Sequence, residues 1–326
     1  MLIAGLGWRA IFLVNVPLGI LTFFLARRFL PVDHRRPKTD RAGFDPVGTL
    51  LLALTLAAYA LAMTMGRGSF GLLNLILLSA AVFGIGLFVL AETVAASPLI
   101  RLAMLRDPAL SASLNISALV STVMMATLVV GPFYLALALG LDAARVGLVM
   151  SVGPLAAALT SAPAGRVADR FGAQGMAIVG LIAIAAGAFV LSMLPAQLGI
   201  SGYIAPIVVI TVGYALFQTA NNTAVMANVR ANQRGVISGL LNLSRNLGLI
   251  TGASVMGAVF ALASKTINIT TARPEAVATG MRVTFAVAAM LIVVALAIAL
   301  GTYRRAWRNR ALAAQAELQA DKKESG

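Results

Sequence analysis

The sequence predicts an all-α, polytopic membrane protein with nine transmembrane helices, and three observations carry that reading. The 326-residue chain is 60% hydrophobic and only 11% charged, whereas soluble domains carry about 25% charged residues. Its mean hydropathy is +0.93. Nine stretches are apolar and long enough to cross a hydrocarbon core of roughly 30 Å, which takes about 20 residues of helix. Backbone groups in lipid are satisfied only inside helices or closed barrels, and these stretches lack the alternating polarity of barrel strands.

The expected spans cover 10–26, 48–65, 72–91, 111–134, 144–163, 176–194, 203–227, 237–262 and 283–302. They fall into groups of one, two and six. The first ends in Arg27-Arg28 and has no basic segment before it, so it reads as a span rather than a cleavable signal peptide. Residues 27–46 form a long charged linker rich in Pro and Asp. Residues 92–110 form a second connector with Pro98 and Pro108. Tighter loops join the last six spans. Residues 304–320 read as a helix, and Tyr303 and Trp307 suit a membrane interface.

The formal net charge is +14. A basic chain suggests a nucleic-acid partner, but here the Lys and Arg residues lie between spans, where they govern orientation. Eighteen fall on one side and five on the other. The richer side is expected to be cytoplasmic, with the amino terminus outside and the carboxy terminus inside a cell membrane. There is no Cys, and His34 is the only His. A thiolate nucleophile and a Cys or His metal site are therefore excluded. No nucleophile–base pair or phosphate loop appears, so neither an enzyme nor a cofactor is implied.

Several motifs run in order along the chain. Trp8-Arg9 is followed by Asn15-Val16-Pro17-Leu18-Gly19. Pro98-Leu99-Ile100 precedes Arg106. Gly165, Arg166, Asp169, Arg170 and Gly172 form a G-x-x-a-D-R-x-G-like motif. Ser238, Gly239, Asn242, Arg245, Asn246 and Gly248 follow. The chain resembles the fourteen-span drug:proton antiporters of the EmrB/QacA type, within the major facilitator superfamily, with Ala10 where that family has a second Trp. The resemblance implies that residues 1–30 carry the last helix of an amino-terminal bundle whose first five helices are absent. It makes 31–110 connectors with an inserted hairpin, 111–303 a complete carboxy-terminal six-helix bundle, and 304–326 a cytoplasmic tail. Asp169 would then latch neighbouring helix ends during transport, and the proton-carrying carboxylate would lie in the absent helices.

The residues themselves add detail. Arg166 and Asp169 are three apart, so one helical turn pairs them, and Gly172 is free to end that turn with a left-handed residue. A solvated turn is the alternative. Arg245 lies 11 residues beyond Arg234, roughly 16 Å deep at 1.5 Å per residue. A charge there costs at least about 2.5 kcal/mol and must face protein or water. It either lines a cavity or ties neighbouring helices together. Tyr214, Gln218, Asn221 and Asn222 form a second polar stripe, as do Asn115 and Thr122, with Met124 and Tyr134 nearby. With Asn242 and Arg245 these are the candidate cavity residues; helix–helix bonding is the competing role. Gly248 and Gly252 have small-xxx-small spacing. The expected partners are the bilayer, a small apolar or cationic substrate, and protons in a full-length form. The leading function is small-molecule efflux by secondary active transport. The alternative is a non-transporting remnant or one part of a split transporter. Oligomeric state is unspecified.

Overall fold

The computed structural model describes residues 10–29, 45–65, 71–95, 97–195, 198–227, 229–230, 233–265 and 272–324. Every regular element among them is helical. Helix α1 (Ala10–Phe29) is the described part of the first of two units, residues 1–44. It carries Pro17 internally and closes on Arg27 and Arg28. Trp8 and Arg9 lie outside the described residues.

The second unit begins at Asp45. It contains α2 (Pro46–Thr64), α3 (Leu72–Val94), the short α4 (Leu102–Leu105) and α5 (Pro108–Phe133), which continues as a π turn through Ala138. Next come α6 (Ala143–Phe171), α7 (Ala173–Ser192), α8 (Gly199–Ala227), α9 (Arg234–Ala263) and α10 (Pro274–Glu324). Eight helices among the described residues are long and apolar enough to cross a membrane, one fewer than the nine expected. The expected first span, 10–26, lies within helix α1 (Ala10–Phe29), several of whose side chains are outside the described residues.

Helix starts sit further out than hydropathy places them, because capping groups set them. Asp45, Asp107 and Asp142 each stand in front of a helix. Their side chains accept from Gly48 N at 2.8 Å, Ala109 N at 3.0 Å and Arg145 N at 2.7 Å. Each satisfies an amide the helix cannot. Pro46 and Pro108 occupy first helical positions, where a missing N–H costs nothing. At the far end, α10 runs unbroken from its span into the basic tail.

Helices α5 to α10 pack as a bundle around Val120, Val123, Leu181, Ile184, Phe217 and Phe285, all at most 1% exposed. Glycines set its two closest seams. Between α7 and α8, a Cβ on Gly180 would stand 2.7 Å from both Gly213 O and Phe217 N. Between α5 and α9, a Cβ on Gly252 would stand 2.5 Å from Thr122 O, and one on Gly248 would strike Ala118 O. The expected Gly248/Gly252 contact face is thus present, and it lets backbones touch. Thr122 donates to Gly248 O at 3.0 Å and Ser244 to Leu114 O across the same seam. The α2–α3 hairpin lies against α9 through the Tyr59–Thr251 hydroxyl pair at 2.5 Å. Leu51, Leu52 and Phe88 pack there with Leu240.

Gly252→Leu has no space at the α5–α9 seam. It should destabilise the bundle by about 1–3 kcal/mol, read as a lower midpoint in denaturant unfolding of the detergent-solubilised chain. Gly257→Leu, facing only Val129 at 3.8 Å, should cost less.

Candidate functional site

Helices α8 and α9 carry the polar residues that stand out in the sequence, and the structure joins two of them. With the Gln218 amide oriented by its hydrogen-bonding neighbours, its oxygen accepts from Arg245 Nε at 3.1 Å and from Nη2. One carbonyl therefore takes two of the five guanidinium donors. Tyr214 lies one turn from Gln218, and the Arg245 charge reaches its hydroxyl. No described Asp or Glu forms an ion pair with Arg245; the Asp142–Arg145 pair at 3.7 Å belongs to a helix start. Arg245 is only half-buried, so its remaining donors stay open to water or a ligand.

A largely apolar cavity of about 240 Å³ lies among the same helices. Met124, Met150, Pro154, Tyr203, Tyr214 and Leu249 line it, from α5, α6, α8 and α9. Gln218 and Arg245 are not among its lining residues, but Tyr214 and Leu249 each lie about one turn from them along α8 and α9. Methionines give such a wall adaptability.

The other candidates separate. Thr122 is buried and bonded to Ala118 O and Gly248 O. Asn115 is exposed and bonded to Ser111 O at 2.9 Å. Asn242 is exposed on the same face of α9 as Arg245. Tyr134 is 1% exposed and lies in the core against Tyr203, ring centroids 5.7 Å apart. Asn221, 5% exposed, lines a second cavity of about 340 Å³ between the ends of α5, α7, α8, α9 and α10. Asp107, Gln174, Gln233 and Thr302 share that cavity. None was singled out from sequence, because each lies near a span end where polar residues are ordinary. Asn221 Nδ2 and Asn222 Oδ1 are buried without partners.

The Gly165–Gly172 motif occupies the end of α6, not a loop. Ala164 and Ala168 face inward, packing with Met176 and Ala220, while Arg166 and Arg170 are exposed. Gly172 has the positive φ expected of it, 83°, but its ψ of 135° lies outside the left-handed helical basin. It is the single residue between α6 and α7. The Asp169 side chain lies outside the described residues, as do those of Trp307 and of 309–326. Asn15 and Pro17 lie in α1.

Long apolar helices and close glycine seams define a polytopic membrane protein. Residues 1–253 match the description Major Facilitator Superfamily, and the chain belongs to that family. It is 33% identical to "Uncharacterized transporter YebQ" of Escherichia coli K12 over 76% of this chain and 54% of that protein. It is 31% identical to "Drug efflux pump JefA" of Mycobacterium tuberculosis H37Rv, over 80% of this chain and 51% of that protein. It is 26% identical to "Multidrug efflux pump LfrA" of Mycolicibacterium smegmatis, over 78% and 50%. The chain spans about half the length of these relatives.

Gln218→Leu removes the acceptor and leaves Arg245 without it. A charged group so deprived costs about 1–3 kcal/mol or more. In denaturant unfolding, Gln218→Leu should destabilise the chain, and Gln218→Leu with Arg245→Met should recover most of the loss.

Proposed function

We propose that the chain forms the carboxy-terminal, substrate-contacting part of a secondary transporter that exports small, largely apolar compounds. The observation that carries this is the apolar cavity walled by α5, α6, α8 and α9, with the Arg245–Gln218 pair about one helical turn from its lining residues Tyr214 and Leu249. Drug-sized ligands favour such a site: mostly apolar, with a few convergent polar groups that fix orientation. The efflux pumps among the relatives support the same direction of use. Arg245 favours compounds with a carbonyl, phenolate or other acceptor at one end; a cationic compound would hold its charge away from it.

In the family-length protein, alternating access brings this wall against a second bundle. Exposed Leu148, Leu155 and Leu159 on α6 are apolar surface for that closure. We place the arginine-rich ends, with Arg166, Arg170, Arg230, Arg234, Arg304 and Arg305, on the cytoplasmic side. Asp169, at the end of α6 there, serves as the latch between helix ends. Proton antiport is the coupling we assign to the family-length form.

Binding tests the reading. Radiolabelled neutral and anionic aromatic drugs, screened by scintillation proximity on the purified chain, should give ligands whose affinity drops about tenfold in Tyr214→Ala, equivalent to about 1.4 kcal/mol, without a change in melting temperature. Unchanged affinity of every bound compound in Tyr214→Ala and Met124→Ala would remove the cavity from the account.

A further inference from the structure

Two acids outside that cavity meet at one end of the α2–α3 hairpin. Asp45 caps α2, and its Oδ1 accepts from Gly48 N at 2.8 Å. Glu92, near the end of α3, is 4% exposed. Its Oε2 accepts from Ile100 N at 3.2 Å. Each carboxylate thus has one oxygen bonded to backbone. The other two, Asp45 Oδ2 and Glu92 Oε1, are buried without a hydrogen-bond partner.

Both unpartnered oxygens converge on one glycine. A Cβ on Gly48 would stand 2.5 Å from Asp45 Oδ2 and 2.8 Å from Glu92 Oε1. The missing side chain therefore leaves a cradle between two acids. No described Lys or Arg forms an ion pair with either. A carboxylate oxygen withdrawn from water without a donor is costly, and two that face each other repel. Something positive completes the arrangement.

We propose that this cradle binds one hard divalent cation, Mg²⁺ or Ca²⁺. The donors are all oxygen, which suits these ions over softer metals. Two carboxylates balance one divalent charge, and one or two carboxylates with water completing the shell is an established way to hold Mg²⁺. The ion joins the start of α2 to the end of α3. Through the Glu92–Ile100 bond it also fixes the connector that leads to α4 and α5. It is thus a clip on the hairpin, separate from the substrate cavity and independent of the proposed function.

The test uses the full chain, purified in detergent and stripped of metal with EDTA. Thermal unfolding is followed with MgCl₂ or CaCl₂ against choline chloride at matched ionic strength, and ⁴⁵Ca²⁺ binding is measured by equilibrium dialysis. The site predicts one ion per chain and a melting temperature raised by about 3 °C or more. Glu92→Gln should lose the ion and the response yet melt normally, since its side-chain oxygen still accepts from Ile100. If Glu92→Gln fails to fold, Asp45→Asn keeps the helix cap and should show the same loss. No bound ion in the unsubstituted chain overturns the proposal. So does an equal metal response in the variants. Stabilisation by acid with no metal response also overturns it and assigns a shared proton to the pair.

Discussion

A polar group in hydrocarbon has no water to bond, and the rest of this structure follows from that constraint. The backbone meets it by forming helices throughout the spans. Short hydroxyl side chains meet it locally: Thr64, Ser79, Thr160, Ser161 and Thr284 each donate to the carbonyl four residues back. With polarity hidden in this way, helices associate by shape, and glycine seams bring α7 onto α8 and α5 onto α9. Lipid tails are as apolar as leucine, so close backbone approach is what holds such helices together.

The same constraint marks the sites. Arg245 cannot be hidden by its own helix, so it reaches across to Gln218 on α8. That link ties α8 to α9, and residues about one turn away on both helices, Tyr214 and Leu249, line the apolar cavity. A charge held by a neutral amide instead of a carboxylate stays available to a ligand's acceptor. The remaining unpartnered atoms are few, and two of them, on Asp45 and Glu92, face each other over Gly48.

The spans were legible in the sequence because hydropathy and length alone define them. Their ends were less so: the capping aspartates at 45, 107 and 142 push helices beyond the apolar core. Arg245 was legible from its depth. Its pairing with Gln218 was not, because periodicity within one helix says nothing about its neighbour. Gly248 and Gly252 show as spacing on one helix, whereas Gly180 and Gly213 meet only once α7 and α8 fold together. Tyr134 stood with the methionines as a candidate for an adaptable cavity wall; in the fold it is buried against Tyr203. The burial of Glu92 depends on the connector, which folds back through Ile100. The loop motif became a helix end, since Gly172 alone suffices to turn the chain from α6 into α7.

Water access to the Arg245 face is the direct measure of whether it lines a transport path. The chain has no cysteine, so single-cysteine variants report without background. Thiols react as thiolates, which form in water and not in lipid. In native membranes, Asn242→Cys should react with N-ethylmaleimide at least about tenfold faster than Met290→Cys, on the 64% exposed outer side of α10. A bound transport substrate should slow the Asn242→Cys reaction. Equal, slow labelling of both positions would place the Arg245 face against lipid or protein and contradict a water-filled path.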